Sequence, residues 1–490
     1  MKIGKGQMRQ EPEPWNVAGK NLPDLLKGTR NRTHPEKTYT PSTVYSIFDQ
    51  GSILIFGGLA GAQIDIRKRL PLVTVLLAVT VVAIDVCLVV MFVLYGYQGT
   101  SPWGWYALLG LLYLVGGVAS LAQSTFGVAV KKDWMVVLAG PSEAELSNMN
   151  AWLRGIDMCA FIVAPFVVSV LNVAFSSPVT ALIVAGWNTF AFIPEMILLV
   201  WLYRSVSLPT PANLSSSPPS WRCPDLRRPP GTAVAPSSSN PAPSEGTPLA
   251  PALLGSSLRP LWEGWGMYMR EPVCLASVAM ALLYVTTLSP HTSLVISWLV
   301  LMKIDTRVVA AFQGVSSVIG LLSSVLSPFV IRRLNIYRSA GFGLAFQVAS
   351  LIPGCLLLSF VPNPSTVVVL LFCGTITISR FGLWLFDLSQ TQIMQVDVSP
   401  DRRGMVNGVE QSLDSLGTIL ILIVGSIAGT PDKFLIPVWV SMVAVGSALG
   451  CYAVWYYKRL PRMHPELSHR PAAAVPRDGP AAETPAVTLA

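Results

Sequence analysis

Apolar residues occur along this chain in long blocks separated by short polar loops. Most blocks exceed the roughly 20 residues that a helix needs to cross a bilayer, and none alternates with the period of two typical of barrel strands. Helices are favoured in a bilayer because every backbone N–H and C=O must find a partner within the chain. We therefore predict spanning helices near Pro41–Gly61, Leu70–Tyr95, Trp103–Val130, Ala151–Phe175, Pro178–Tyr203, Pro272–Met302, Val308–Ile331, Ser339–Val361, Ser365–Val396, Gly404–Gly429 and Phe434–Tyr457.

A long polar interruption divides these helices into two groups. It is rich in serine and proline, as in "SSSPPS" and "PSSSNPAPSEG", and such a composition buries too little apolar surface to fold. The chain is therefore predicted to comprise a polar tail (1–40), a helical bundle (41–203), a disordered linker (204–264), a six-helix bundle (265–457) and a disordered tail (458–490).

Basic residues cluster in every second loop. Arg67, Lys68 and Arg69 follow the first predicted helix, whereas the next loop, "GYQGTSP", carries no Lys or Arg. Because basic loops face the cytosol, the linker and the C-terminal tail are predicted to be cytosolic. The same alternation would place the basic N-terminal tail outside, and one more helix before Pro41 would remove that conflict. A genuine eleven-span protein is the alternative.

Six plus six helices around a cytosolic linker are typical of major facilitators, in which two bundles rock about a site at the membrane midplane. The predicted fold class is thus an all-α membrane protein, a major facilitator-like two-bundle transporter with 11 visible spans of an expected 12. The string "GAQIDIRKR" places Gly61, Asp65 and Arg69 in a facilitator-like Gly-x-x-x-Asp-x-x-x-Arg loop. There the Asp pairs with a basic residue and latches the two halves. A plain basic loop is the alternative interpretation.

Composition excludes a soluble protein. Hydrophobic residues make up 52% of the chain and charged residues only 12%, against about 25% charged residues in a soluble domain. The net charge of +8 would suit nucleic acid, but the basic residues lie in short loops and tails that orient a membrane protein. The expected partner is a lipid bilayer and not nucleic acid. The seven cysteines are scattered without a C-x-x-C motif and indicate neither a disulfide framework nor a zinc cluster.

Several ionisable residues fall inside the predicted spans, where each charge costs several kcal/mol unless it is paired or hydrated. Arg154 and Asp157 are one helical turn apart and can pair. Arg380 and Asp387 are two turns apart and are expected to face the bundle interior, whereas Asp85 looks isolated. These charges are interpreted either as structural pairs or as latches that set the equilibrium between two conformations.

Strings in both bundles resemble the ferroportins, the solute carrier family 40 iron exporters. They are "VKKDWMVVLAG" (Val130–Gly140), "LSNMNAWLRGID" (Leu146–Asp157), "SSPVTALIVAGWN" (Ser176–Asn188), "SRFGLWLFDLSQTQIMQ" (Ser379–Gln395) and "RRGMVNGVEQS" (Arg402–Ser412). The resemblance runs from about Tyr45 to Tyr457 and lacks the family's first helix. It implies export of Fe²⁺, with Asp133 and Arg403 forming an intracellular gate.

The resemblance also implies where metal would bind. Ferroportins use an Asp on the first helix together with groups on the helix that here holds Asn188 and Glu195, which are two turns apart on one face. The first-helix Asp is missing from this chain. A second site in animal ferroportins uses a Cys and a His, and those positions here are Thr292 and Ile421. Since the peptide hepcidin acts at that Cys, we do not expect it to regulate this chain.

A substitute for the second site is proposed from the residues themselves. Pro290 should break the sixth predicted helix and open a cavity beside His291. Glu410 and Asp414 lie four residues apart on the helix that would face it. Fe²⁺ accepts imidazole and carboxylate ligands, so these three side chains are candidates. Alternatively, His291 simply hydrogen-bonds a neighbouring helix.

The sequence thus predicts an exporter of Fe²⁺ or a related divalent ion that works by alternating access. We find no phosphate-binding glycine loop and no nucleophile–base pairing, so neither an enzyme nor a cofactor is expected. A facilitator for another small solute and a non-transporting truncated isoform are the alternatives.

Overall fold

The structure, a computed structural model, describes residues 40–96, 102–206, 259–361, 364–428 and 433–463. In the N-terminal half the helices are α1 (Thr40–Ile66), α2 (Arg69–Gly96), α3 (Pro102–Gly127), α4 (Met135–Ala139), α5 (Glu143–Ala174) and α6 (Ser177–Val206), with a π-helical segment, Val128–Trp134, between α3 and α4. In the C-terminal half they are α7 (Arg259–Arg270), α8 (Cys274–Tyr284), α9 (Ser293–Leu301), α10 (Thr306–Leu334), α11 (Ile336–Phe360), α12 (Thr366–Asp397), α13 (Arg403–Ile427) and α14 (Leu435–Met463).

Ten helices in the described part of the chain are long and apolar enough to cross a membrane. The remaining predicted span is divided into two short helices, α8 and α9, as Pro290 indicated. Two backbone groups at the break form hydrogen bonds with side chains from other helices. The N–H of Thr287 donates to Ser441 Oγ at 2.8 Å, and Arg380 Nη2 donates to the carbonyl oxygen of Leu288 at 2.8 Å. Such partners are what make a broken helix tolerable at membrane depth.

Each half forms a helical bundle. In the N-terminal bundle α2 packs on α3 and α6, while in the C-terminal bundle α11 packs on α12 and α14. The C-terminal bundle has the larger core, in which Trp298 of α9 stacks on Phe434 with ring centroids 4.2 Å apart. The bundles meet where α1 runs along α13 and α5 runs along α10.

The end of the third predicted span and the start of the fourth lie several residues away from their predicted positions. The third span does not end at Val130, because the π segment carries it on to Ala139. The fourth begins at Glu143 instead of Ala151, since Ser142 Oγ accepts the N–H of Glu145 at 3.2 Å and caps a polar first turn. Hydropathy alone does not detect these polar helical turns.

The predicted linker and tail need correction at their edges. Residues 204–206 belong to α6, 259–264 to α7, and 458–463 to α14, so these parts are helical. The rest of both segments lies outside the described residues. Residues 1–39 do as well, and the further helix expected before Pro41 stays a prediction.

Candidate functional site

The two bundles touch most closely near one end of the molecule. This end, called the basic end below, holds the C-terminus of α1, the N-terminus of α5 and the N-terminus of α13. There Gly57 and Gly61 of α1 face Gly404 and Gly408 of α13, and a Cβ on Gly61 would overlap the carbonyl oxygen of Gly404. Small residues four apart let helix backbones approach in this way. The basic end is therefore closed by direct backbone contact.

Asp65 stabilises this contact by hydrogen bonds to α13. Its Oδ1 accepts the N–H of Gly404 at 2.7 Å and its Oδ2 accepts the N–H of Met405 at 2.9 Å. A carboxylate at a helix N-terminus satisfies free N–H groups and interacts favourably with the helix dipole. Asp65 thus joins the two bundles, but it and Gly61 lie on α1 and not in the predicted loop, and Asp65 binds the end of α13 instead of a basic side chain.

Asp133 is buried between two arginines. Arg69 Nε and Nη2 donate to its two carboxylate oxygens at 2.7 and 3.1 Å, within the N-terminal bundle. Arg403 Nη1, from the C-terminal bundle, lies 3.8 Å from Asp133 Oδ1. Arg403 also donates to the carbonyl oxygen of Gln395 at 2.9 Å. The predicted partners Asp133 and Arg403 are brought together, although Arg69 is nearer, and Asp133 lies on the π segment and not in a loop.

One further ion pair joins α5 of the N-terminal bundle to α12 of the C-terminal bundle. Arg154 binds Asp387 of the other bundle, and its distance to Asp157 on its own helix is 3.8 Å. Asp157 pairs more closely with Lys131, at 2.7 Å. Arg380 and Asp387 do not form one site, because Arg380 donates to the carbonyl oxygen of Leu288 in the broken span whereas Asp387 binds Arg154. Sequence spacing finds neighbours on one helix and misses partners on another.

Glu410 is held by three polar contacts deep between the bundles. Its Oε2 is ion-paired with Lys132, and its Oε1 accepts from Ser277 Oγ at 3.0 Å and from Gln390 Nε2 at 2.7 Å. Asp414, one turn further along α13, is 5% exposed. Lys132 is a functional candidate that the sequence did not reveal, since only the π segment turns it inward.

These side chains line a cavity of about 220 Å³ between the two bundles. Its walls carry four carboxylates and three cationic groups. The carboxylates belong to Asp157, Asp387, Glu410 and Asp414, and the cationic groups to Lys131, Lys132 and Arg154. Because acids outnumber bases, the cavity suits a cation better than an anion.

The remaining predicted metal ligands lie elsewhere. Asn188 Nδ2 donates to Asp85 Oδ1 at 2.9 Å, so Asp85 is not isolated, and Glu195 is exposed on α6. His291 Nε2 is 3.3 Å from Ser317 Oγ, and its ring lies 6.5 Å from that of Phe161 in the other bundle.

The predicted site at His291, Glu410 and Asp414 is therefore not assembled in this conformation. Among the residues that the structure describes, no group of three or more His, Cys, Asp or Glu side chains could hold a metal ion. Glu410 is instead paired with Lys132, and His291 lies beside Ser317.

Two helical bundles enclosing a polar cavity, with ion pairs that cross from one bundle to the other at one end, define a membrane transporter of the major facilitator type. The family model described as Ferroportin1 (FPN1) matches residues 35–445. The chain therefore belongs to the ferroportin family.

Two named relatives and a solved structure match most of this chain. It is 26% identical over 485 residues to a mouse (Mus musculus) protein named ferroportin, with 83% of each chain covered. It is 28% identical over 426 residues to solute carrier family 40 member 1 of Oryza sativa subsp. japonica, covering 85% of this chain and 84% of the relative. The fold matches a bacterial homologue of the iron transporter ferroportin in its outward-facing state, with a TM-score of 0.68, 23% identity and coverage of 91% and 95%.

Proposed function

We propose that this protein exports divalent metal, with Fe²⁺ as its substrate, by alternating access between two bundles. The observation that carries this proposal is the acidic cavity between the bundles, closed at the basic end by groups drawn from both of them. Membership of the ferroportin family supports iron as the cargo, as do relatives that bear the ferroportin name. Such transport breaks no covalent bond, so the proposal includes neither an enzymatic activity nor a cofactor.

The basic end is proposed to face the cytosol, because Lys and Arg concentrate in the loops at that end. The linker between the bundles and the C-terminal tail would then be cytosolic as well. With this orientation the described conformation is closed towards the cytosol, and export requires the basic end to open and admit the ion.

Opening has to separate the pairs that join opposite bundles. They include Asp65 with the N-terminus of α13, Asp133 with Arg403, Arg154 with Asp387, and Lys132 with Glu410. Breaking one buried ion pair costs about 3–5 kcal/mol when its partner stays buried. Water entering the opened cavity and a bound metal ion would offset this cost, so the pairs act as latches that favour the closed state.

The metal is proposed to bind at two regions. One lies in the N-terminal bundle at Asn188 and Glu195, with Asp85 beside Asn188. The other lies in the C-terminal half at Glu410 and Asp414, with His291 joining after a rearrangement. Thr292 takes the place of the Cys to which hepcidin responds in animal ferroportins, so regulation by that peptide is not part of the proposal.

Efflux of radioactive iron tests the function. Membrane vesicles containing the protein and loaded with radioactive Fe²⁺ should lose it faster than vesicles without the protein. Equal rates would reject metal export. A second candidate function is a facilitator for another small solute, because Thr292 and Ile421 replace the Cys and His that bind metal in animal ferroportins. Equal efflux rates would be compatible with this second function.

A further inference from the structure

Lys132 carries a buried ammonium group that belongs to one bundle and binds a carboxylate of the other. It lies on the π segment of the N-terminal bundle and is 9% exposed, and Glu410, its partner on α13, is 1% exposed. Any opening of the basic end must draw these two groups apart, because they move with different bundles.

The other contacts of Glu410 would survive that motion. Ser277 on α8 and Gln390 on α12 both donate to Oε1, and both helices belong to the same bundle as Glu410. Only Oε2 loses its partner when Lys132 withdraws. Glu410 would thus keep its orientation and present one free carboxylate oxygen to the cavity.

Asp414 supplies a second oxygen at the same place. It lies four residues after Glu410, so the two carboxylates sit one above the other on one face of α13. Asp414 is 5% exposed and lines the same cavity, and its Oδ1 has no hydrogen-bond partner among the described residues. Two buried carboxylates so close together repel each other unless a cation lies near both, and the ammonium of Lys132 fills that role for one of them.

We propose that Lys132 and the transported ion are alternative occupants of one cation site formed by Glu410 and Asp414. This inference rests on the proposed function. With the basic end open, Lys132 is withdrawn and a divalent ion binds the two carboxylates from the cytosol. As the basic end closes, the ammonium returns to Glu410 and displaces the ion towards the opposite end. In the empty carrier the ammonium then compensates the charge of Glu410, and the basic end can reopen.

Binding of Co²⁺, a divalent ion that resists air oxidation, tests the competition directly. Isothermal titration of the purified full-length protein should show about tenfold tighter binding for Lys132→Met than for the unaltered chain. Lys132→Arg keeps a competing cation and should bind like the unaltered chain. Lys131→Met is the matched control, because it removes the same charge from the same cavity but from Asp157 instead of Glu410. The double change Lys132→Met with Glu410→Gln should abolish the tighter binding.

An unchanged affinity in Lys132→Met, or an equal gain in Lys131→Met, would overturn the proposal. A second measurement uses the unaltered chain, in case Lys132→Met does not fold. Co²⁺ should displace the ammonium from Glu410 and increase the rate at which Lys132 is acylated, as followed by mass spectrometry. A rate that Co²⁺ leaves unchanged would also overturn it. If the Co²⁺ results are as expected but vesicles export no iron, the proposed function fails and the shared cation site remains supported. If iron is exported but Lys132→Met binds Co²⁺ like the unaltered chain, only the competition between Lys132 and the ion is rejected.

Discussion

Asp133 lies between two arginines that would move differently during transport. Arg69 belongs to the same bundle and donates two hydrogen bonds to it, whereas Arg403 approaches from the other bundle at 3.8 Å. The first pair can persist through a rocking motion, while the second has to break. In the proposed mechanism, one carboxylate therefore contributes both to the stability of a bundle and to the balance between conformations.

Removing each arginine should separate these two roles. Arg69→Gln leaves a buried carboxylate without its bidentate partner, so we expect a loss of about 3–5 kcal/mol of stability and a lower melting temperature in detergent. Arg403→Gln should instead favour the open basic end. That shift would appear as faster labelling of a cysteine at Ser124, which lines the cavity, in a cysteine-depleted background. A lower melting temperature for Arg403→Gln without faster labelling would contradict its role as a latch.

The partners that join the bundles are what the sequence predicts least well. Arg154 and Asp387 are 233 positions apart, and no local pattern connects them. Spacing along one helix suggests Asp157 as the partner of Arg154, because contacts three or four residues apart can be recognised without the fold. For Asp387 the spacing indicates only a face shared with Arg380. The resemblance to ferroportins supplied Asp133 with Arg403, and nothing in the sequence indicated Lys132 with Glu410.

At the scale of elements, breaks in helices divide into predictable and unpredictable ones. The interruption between α8 and α9 was expected, because proline inside a helix removes a hydrogen bond and clashes with the preceding turn. The π segment has no such cause in its own residues. It adds a residue to the turn that carries Lys131, Lys132 and Asp133, and π-helical turns of this kind are frequent at functional sites. The segment packs against α13 of the other bundle, a contact between distant parts of the chain that local sequence does not encode.

The crossing of α1 and α13 gives a second prediction. Gly61→Val places side-chain atoms where the carbonyl oxygen of Gly404 lies, so the basic end should no longer close. A cysteine placed at Ser124 should then be labelled as fast as when the cavity is open. Export should fall at least tenfold, because the transport cycle cannot be completed.

The control for this variant lies on the same helix. A Cβ on Gly51 would meet no atom within 4 Å, so Gly51→Ala should leave labelling unchanged and gain about 0.5–1 kcal/mol of helix stability. If the cysteine at Ser124 is labelled as slowly in Gly61→Val as in Gly51→Ala, the crossing of α1 and α13 does not close the basic end.

At the scale of the whole molecule, the apolar blocks, the polar linker and the alternating loop charges predicted a two-bundle helical membrane protein, and the structure confirms that fold class. Apolar blocks indicate spans because the bilayer fixes their length, and this constraint holds regardless of how the helices pack. The arrangement of the helices around the cavity is different, because it depends on contacts between distant parts of the chain. The fold class was therefore accessible from the sequence, whereas the cavity was not.

The linker offers a prediction at this scale. Its serine- and proline-rich composition cannot form a packed core, so deleting residues 215–247 should leave both bundles folded and inserted. Size-exclusion chromatography of the membrane protein in detergent would show a single symmetric peak for the shortened chain. Aggregated protein alone would show that this segment is needed for folding.

The central claim is that metal crosses only when the two bundles separate at the basic end. Asn148 of α5 and Arg332 of α10 join the bundles there, with Arg332 Nη2 donating to Asn148 Oδ1 at 3.0 Å. Cysteines at both positions, in a cysteine-depleted chain, allow a short reducible cross-linker to hold that end closed. Efflux of radioactive Fe²⁺ from vesicles should stop on cross-linking and resume after reduction. Efflux that continues at the same rate in the cross-linked protein would contradict the account.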